Sequence, residues 1–363
     1  MKTDIGLEGG GGQRSWRRLS SSMLLLGALA SVMVGASGCG KKESIVALGS
    51  GKKLSAEEID KNPQALLPGN AVVYVQADLQ AFFGTAYAPQ ALRIATSLVP
   101  IPADANFQPT RDVKNALIGL YSSTSADFAG IVQGSFDPDA IAASAARGSI
   151  TPLNQPLKAT PYANNTIYST SELGFVLLTK QTLLVGNPAG LRRALDRIRD
   201  GKVVVEIPEW ELTLLKTPGA EIVIAGDLGA QPVSAALLGY MPFLDKARQV
   251  RVVGDFKAPG MNVGGSISYP DSNAAQNGAN AMRLVPNMVG WLSWFSGNPF
   301  QSLETNVPPG TGELQFKVVL DGQALASLLS QLGMFTSFMA PPPPPPSTTA
   351  TPTSTVPAPV PPK

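Results

Sequence analysis

The chain has 363 residues, of which 44% are hydrophobic and 15% charged, enough apolar material for one large domain or two smaller ones. It contains no histidine and a single cysteine, which excludes an intrachain disulfide and any Cys/His zinc site. The net charge of +2, without a basic stripe and interleaved aromatic residues, argues against a nucleic-acid partner.

The N-terminus has the pattern of a bacterial lipoprotein signal peptide. Arg14, Arg17 and Arg18 form a basic region, and residues 23–34 are an apolar run that is too short to span a bilayer. Residues 36–39 (ASGC) then resemble a lipobox, with small residues before the only cysteine, although Ala36 stands where such sequences prefer Leu.

We therefore expect residues 1–38 to be a lipoprotein signal peptide and Cys39 to be the lipidated anchor. The alternative is an ordinary secretory peptide with a chance cysteine at its cleavage site. Gly40 replaces the Asp that commonly retains lipoproteins at the inner membrane, so we expect an outer-membrane location facing the periplasm or the cell surface. Acyl chains contribute about 0.8 kcal/mol per buried methylene, which anchors a soluble body firmly when several are present.

The first half of the mature chain alternates strand and helix patterns. Residues 39–65 are polar and predict a flexible tether. Asp137 and Pro138 predict the start of a helix through residue 146, and Asn187-Pro188 predict an amphipathic helix that ends at Gly201. Strands are predicted at 71–77, 116–122, 128–135, 166–170, 173–179 and 182–186.

The second half repeats these patterns. LPGNAVVYVQADL at 67–79 is similar to TPGAEIVIAGDL at 217–228, and GSFDPD at 134–139 is similar to GSISYPD at 265–271. A strand at 313–320 places Leu314, Phe316, Val318 and Leu320 on one face, and Asp321 caps a last helix to Leu332. The sequence thus predicts an α+β fold with two similar lobes, 66–216 and 217–335, each a mostly antiparallel sheet with helices packed on one face. Residues 336–363 predict a Pro-rich disordered tail.

Together with the lipobox, the segments LPGNAVVYVQADL, GSFDPDA and LLVGNPAGLRRAL resemble those of uncharacterised predicted lipoproteins of Gram-negative bacteria. The resemblance covers residues 66–332. It implies a duplicated α+β domain and carries no activity.

Three groups of side chains have a structural and a functional interpretation. Asp137 and Asp139 are either a helix cap or part of a calcium loop, and the cap is favoured because further oxygen ligands are missing. The second group consists of arginines that form a solvated helix face or contact anionic head groups: Arg192, Arg193, Arg197 and Arg199. The third group consists of aromatic residues that pack in the core or form a ligand or membrane platform: Trp291, Trp294, Phe295 and Phe300.

The leading functional hypothesis is a lipid-anchored cell-envelope protein with a non-catalytic binding or scaffolding role. Its expected partners are the membrane, through Cys39, and an envelope protein, through the Pro-rich tail. One alternative is a carrier of a lipid or other hydrophobic ligand; another is a carboxylate-dependent hydrolase. No catalytic, cofactor-binding or metal-binding residue is predicted, because histidine is absent and the remaining motifs lack the required spacing.

Overall fold

Twelve strands of the body form one antiparallel sheet. The computed structural model describes residues 44–47, 53–85, 87–122, 127–170, 172–229, 231, 233–257, 260–289, 300–323 and 326. Outside the sheet, β1 (Ser44–Ala47) and β2 (Lys53–Ser55) form a two-stranded hairpin. The strands of the first half are β3 (Val73–Asp78), β4 (Val113–Leu120), β5 (Phe128–Gly134), β6 (Lys158–Tyr162), β7 (Asn165–Ser169), β8 (Gly174–Leu177) and β9 (Thr182–Gly186). Those of the second half are β10 (Ile222–Asp227), β11 (Gln249–Asp255), β12 (Gly260–Ser268), β13 (Phe300–Asn306) and β14 (Glu313–Asp321).

The two halves of the sheet have the same strand order. From the centre outwards it is β3-β4-β5-β9-β8 in the first half and β10-β11-β12-β14-β13 in the second, and β7 and β6 extend the first half. This matched order agrees with the predicted duplication, and the division into two similar lobes stays a prediction. The two halves form one continuous sheet, because β3 and β10 pair at the centre, with Val75 opposite Ile224. Pairing removes an unsatisfied edge from each half.

Helices cover both faces of the first half of the sheet, so the prediction of helices on one face is wrong there. The described α-helices are α1 (Ala56–Lys61), α2 (Leu79–Phe83), α3 (Ala88–Leu98), α4 (Pro109–Asp112), α5 (Pro138–Ala146), α6 (Pro188–Arg199), α7 (Glu209–Leu215), α8 (Ala235–Tyr240) and α9 (Ser272–Val289). Short 3₁₀ helices occur at Pro63–Leu66, Ala103–Ala105 and Pro242–Leu244.

We name the two sheet faces after the helices that cover them. On the α6 face, Ile131 and Leu184 share a core with α6 and α7. On the α5 face, Val132 and Leu183 share a core with α5. All five residues of β9 are buried, so this strand is apolar on both faces and needs a cover on each. The apolar sequence of β9 allows a helix layer on each face of the sheet but does not by itself predict one.

The second half has one apolar and one polar face. A core on the α5 face joins α9 to Ile267 and Leu314, and Phe316 packs against it, as the alternation in β14 predicts. On the α6 face, register places Arg251 beside Ser266 and Ser266 beside Gln315. Antiparallel sheets commonly leave such a polar face to solvent.

The predicted tether of residues 39–65 is wrong from residue 53 onwards. Leu54 and Ile59 are buried in the core of the α6 face. Asp60 accepts hydrogen bonds from the hydroxyls of Thr179 at 2.5 Å and Thr182 at 2.6 Å. The segment is polar in composition because only one side of α1 faces the core.

Candidate functional site

A buried carboxyl group lies where the two halves of the sheet meet. α7 packs on β10 and β3, and its Glu211 is 1% exposed. Neither carboxyl oxygen of Glu211 has a hydrogen-bond partner in the part of the chain that the structure describes. Buried polar groups are rarely left in this state, so Glu211 is the first candidate for a functional residue.

The local sequence explains why Glu211 has no partner. Glu211 is the third residue of α7, the position from which a glutamate can reach back to the backbone N–H of the N-cap residue. The N-cap here is Pro208, which has no N–H to donate. In α1 the same position is Glu58, whose carboxylate accepts from the Ser55 N–H at 2.7 Å and completes a capping box.

Burial shifts the ionisation of this site. Loss of hydration, together with a smaller effect of the negative charge of Asp227 on β10, raises the pKa of Glu211 from 4.5 to about 7. Tyr74 on β3 has its pKa raised to about 12, chiefly by burial and partly by the charge of Glu211. Glu211 therefore changes charge near neutral pH.

A hydrogen-bonded turn borders Glu211 on the β3 side. The Pro68 carbonyl accepts from the hydroxyls of Tyr74 at 3.2 Å and Tyr121 at 2.8 Å, and burial also raises the pKa of Tyr121. The Gly69 N–H donates to the carboxylate of Glu206 at 3.1 Å. A Cβ on residue 69 would lie 2.7 Å from the Cβ of Glu206, so glycine is required for this approach.

Two arginines of α6 form ion pairs next to this hydrogen-bonded turn. Arg197 pairs with Glu206, and its side chain is only 12% exposed. Arg193 pairs with Asp127, and its guanidinium lies 4.8 Å from the centre of the Tyr121 ring. The interpretation of a solvated arginine face is therefore wrong for Arg197, which pairs with Glu206 in the chain before α7. Arg193 keeps an exposed fraction of 38% and is both paired and partly solvated. Arg199 does lie on the surface, where it pairs with Asp196 and Asp200.

The unsatisfied polar atoms of the described residues cluster in one layer. They are Oδ1 of Asp127, Nε of Arg197 and both carboxyl oxygens of Glu211, and all three residues belong to or contact α6 and α7. The α5 face differs: Asp104 accepts from Ser144 and Ser149 at 2.5 Å each, and these bonds hold the pKa of its carboxyl well below the usual range. The α6–α7 layer is thus the least satisfied part of the described structure.

The described pockets lie elsewhere. One of about 250 Å³ at the start of α5 is lined by polar groups that already have partners: Asp112 binds Arg111, and Asp137 caps the helix. The N-cap prediction for Asp137 is therefore confirmed. An apolar cavity between β5 and α3 has a volume of only about 30 Å³.

The predicted anchor and aromatic platform cannot be placed. Cys39, Trp291, Trp294 and Phe295 lie outside the described residues, as do the signal peptide and the tail; Phe300 begins β13 and is half-buried. The structure does describe the start of the last helix, where Asp321 accepts from the Gln323 N–H at 2.9 Å. Within the described ranges, no group of three or more acidic side chains could hold a metal, and no helix is both long and apolar enough to cross a bilayer.

No protein-family model and no curated protein matches this chain. Among solved structures, crystal form III of TP0453 has 9% sequence identity and a TM-score of 0.46, covering 74% of this chain and 97% of that chain. Crystal form I of TP0453 has 10% identity and a TM-score of 0.46, covering 75% and 96%. These values describe a loose likeness from which no function follows. The α+β class, with a large antiparallel sheet and packed helices, is established by the topology itself.

Sequence reasoning did not single out Glu211. The available signal was a glutamate three residues after Pro208, at the start of a short amphipathic helix. Chemically, the enclosed carboxyl can hold or release a proton, but in this conformation it does not line a described pocket where a substrate could reach it.

Proposed function

We propose that the protein is a lipid-anchored component of the bacterial cell envelope with a non-catalytic binding or scaffolding role. The observation that carries this proposal is the lipobox-like sequence at 36–39, which ends at the only cysteine of the chain and follows a signal-like apolar run. The proposed modification is lipidation of Cys39, and the proposed location is the outer membrane, facing the periplasm or the cell surface.

The start of the folded body supports a short connection to this anchor. β1 begins at Ser44, five residues after Cys39, and Ser44 pairs with Ser55 at the start of α1. The proposed free tether is therefore shorter than the composition of residues 39–65 indicates. The Pro-rich tail is the proposed contact with an envelope protein, because prolines favour an extended polyproline II conformation that partner domains recognise.

Fractionation of cells tests the anchor. The wild-type protein is expected in the membrane fraction after an alkaline wash, and the Cys39→Ser variant is expected in the soluble fraction. Ser37→Ala keeps a small residue before the cysteine and serves as the matched control, which should remain membrane-bound. Retention of the Cys39→Ser variant in washed membranes would contradict the proposal.

Neither alternative function has a specific observation in its favour. A lipid carrier needs a ligand pocket, typically about 300–1,000 Å³, and the described apolar cavity holds about 30 Å³. A carboxylate-dependent hydrolase needs an accessible pair of carboxyl groups, and Glu211, which has the raised pKa, is enclosed. The absence of enzymatic activity remains a prediction.

A further inference from the structure

α7, the helix that contains Glu211, depends on packing for its stability. The N-terminus of α7 has no side-chain cap, and its Trp210 is half-buried, with the guanidinium of Arg251 lying 5.0 Å from the ring centre. Leu215 is buried in the core of the α6 face, but Glu211, one turn earlier, inserts an unpaired carboxyl group there. The seven-residue helix is too short to be stable without its packing.

We propose that α7 is a pH-dependent cover, closed over the β3–β10 junction when Glu211 is protonated and released when Glu211 is ionised. Release would hydrate the carboxylate and uncover Val223 and Ala225 of β10, which are buried in the closed form. The proposal rests on the position of Glu211 and the missing partners, and it does not depend on the lipid anchor.

The charged and titratable groups around Glu211 do not offer it a compensating partner. From β10, Asp227 contributes a like charge, and from β3, Tyr74 already donates its hydroxyl proton to Pro68. From α6, Arg197 is paired with Glu206, which precedes α7. From β11, Arg251 lies over Trp210. An ionised Glu211 in the closed form is therefore a buried carboxylate with no counter-ion, which is strongly unfavourable.

The sign of the pH dependence follows from this environment. In the released form Glu211 is hydrated and its pKa returns towards 4.5, whereas in the closed form the pKa is about 7. The closed form is therefore favoured fully below pH 4.5 and loses that advantage as the pH rises to 7. Well above pH 7 both forms are ionised and the opening equilibrium no longer changes.

Hydrogen exchange of backbone amides measures this opening in the full-length chain in detergent. The protection factors of α7 amides should fall by about 100-fold between pH 4.5 and 7.5, which is a large part of the limit of about 300-fold that the pKa difference sets. In the Glu211→Gln variant this fall should be lost. If Glu211→Gln does not fold, the same loss is expected in Glu211→Met. Glu209→Gln, which removes an exposed carboxyl group from the same helix, should keep the fall.

Two results would overturn the proposal. The first is a fall in α7 protection that persists in both Glu211 variants, or that is absent from the parent protein. The second is equal protection in α7 and α5 that falls in parallel with pH, because this would show that the whole body unfolds and that α7 does not open alone.

Discussion

Tyr74 and Tyr121 donate hydrogen bonds to the same buried carbonyl, that of Pro68, at 3.2 Å and 2.8 Å. The two tyrosines lie on β3 and directly after β4, so the turn before β3 is fastened to both strands. This turn also carries Gly69, which donates to Glu206 beside α7. The contact therefore links the central strands to the layer that contains Glu211.

Removal of these hydroxyls should be non-additive. Tyr121→Phe and Tyr74→Phe should each lower the free energy of unfolding by about 1 kcal/mol, because Pro68 retains one donor. The double variant should lose more than the sum, because the buried carbonyl then has neither tyrosine donor. Chemical denaturation of the three variants measures this coupling, and strictly additive losses would contradict the shared-acceptor geometry.

The regular parts of the fold could be predicted from the sequence. Alternation in β14 and the one-sided apolar pattern of α6 gave both the elements and their buried faces, since each depends on local periodicity. β6 was missed because it is an exposed strand with Pro161 in it and has no apolar alternation. The edge position of β6 tolerates this proline.

The candidate site could not be predicted because its properties arise from distant segments. Glu211 is buried by β3 and β10, and β3 lies more than 130 residues earlier in the chain. A helix of seven residues with two acidic residues in its first turn reads as a surface helix. Likewise, the sequence around Arg197 shows a polar helix side and gives no sign that Glu206 will cover it.

Asp60 should behave as part of the folded body. Asp60→Ala is expected to lower the free energy of unfolding by about 2–3 kcal/mol, because two threonine hydroxyls lose a charged acceptor. Lys61→Ala changes the neighbouring exposed residue and should have little effect. Thermal denaturation distinguishes the two, and equal melting temperatures would restore the flexible-tether interpretation of this segment.

The start of α5 offers a second pair of matched variants, one at Asp137 and one at Asp139. Asp137 accepts from the N–H groups of Asp139 and Ala140, each at 3.1 Å, whereas the side chain of Asp139 caps nothing. Asp137→Ala should cost about 0.5–2 kcal/mol of stability, and Asp139→Ala only the smaller loss of a favourable charge near the helix N-terminus. If calcium raised the melting temperature of the wild type and not of the Asp137 variant, the cap interpretation would be incomplete.

The tail should be independent of the body. A chain truncated before residue 336 should keep the melting temperature of the full-length protein, because the Pro-rich sequence has too little apolar content to offset its conformational entropy. Differential scanning calorimetry of the two chains makes the comparison. A drop of several degrees on truncation would show that the tail packs on the body.

The lipid anchor is tested most directly by mass spectrometry of the N-terminal peptide of the protein purified from bacterial membranes. We predict that the peptide begins at Cys39 and carries the added mass of a diacylglyceryl group, together with a further acyl chain where the amine is acylated. An unmodified cysteine, or a mature N-terminus at any other residue, would contradict the proposed function.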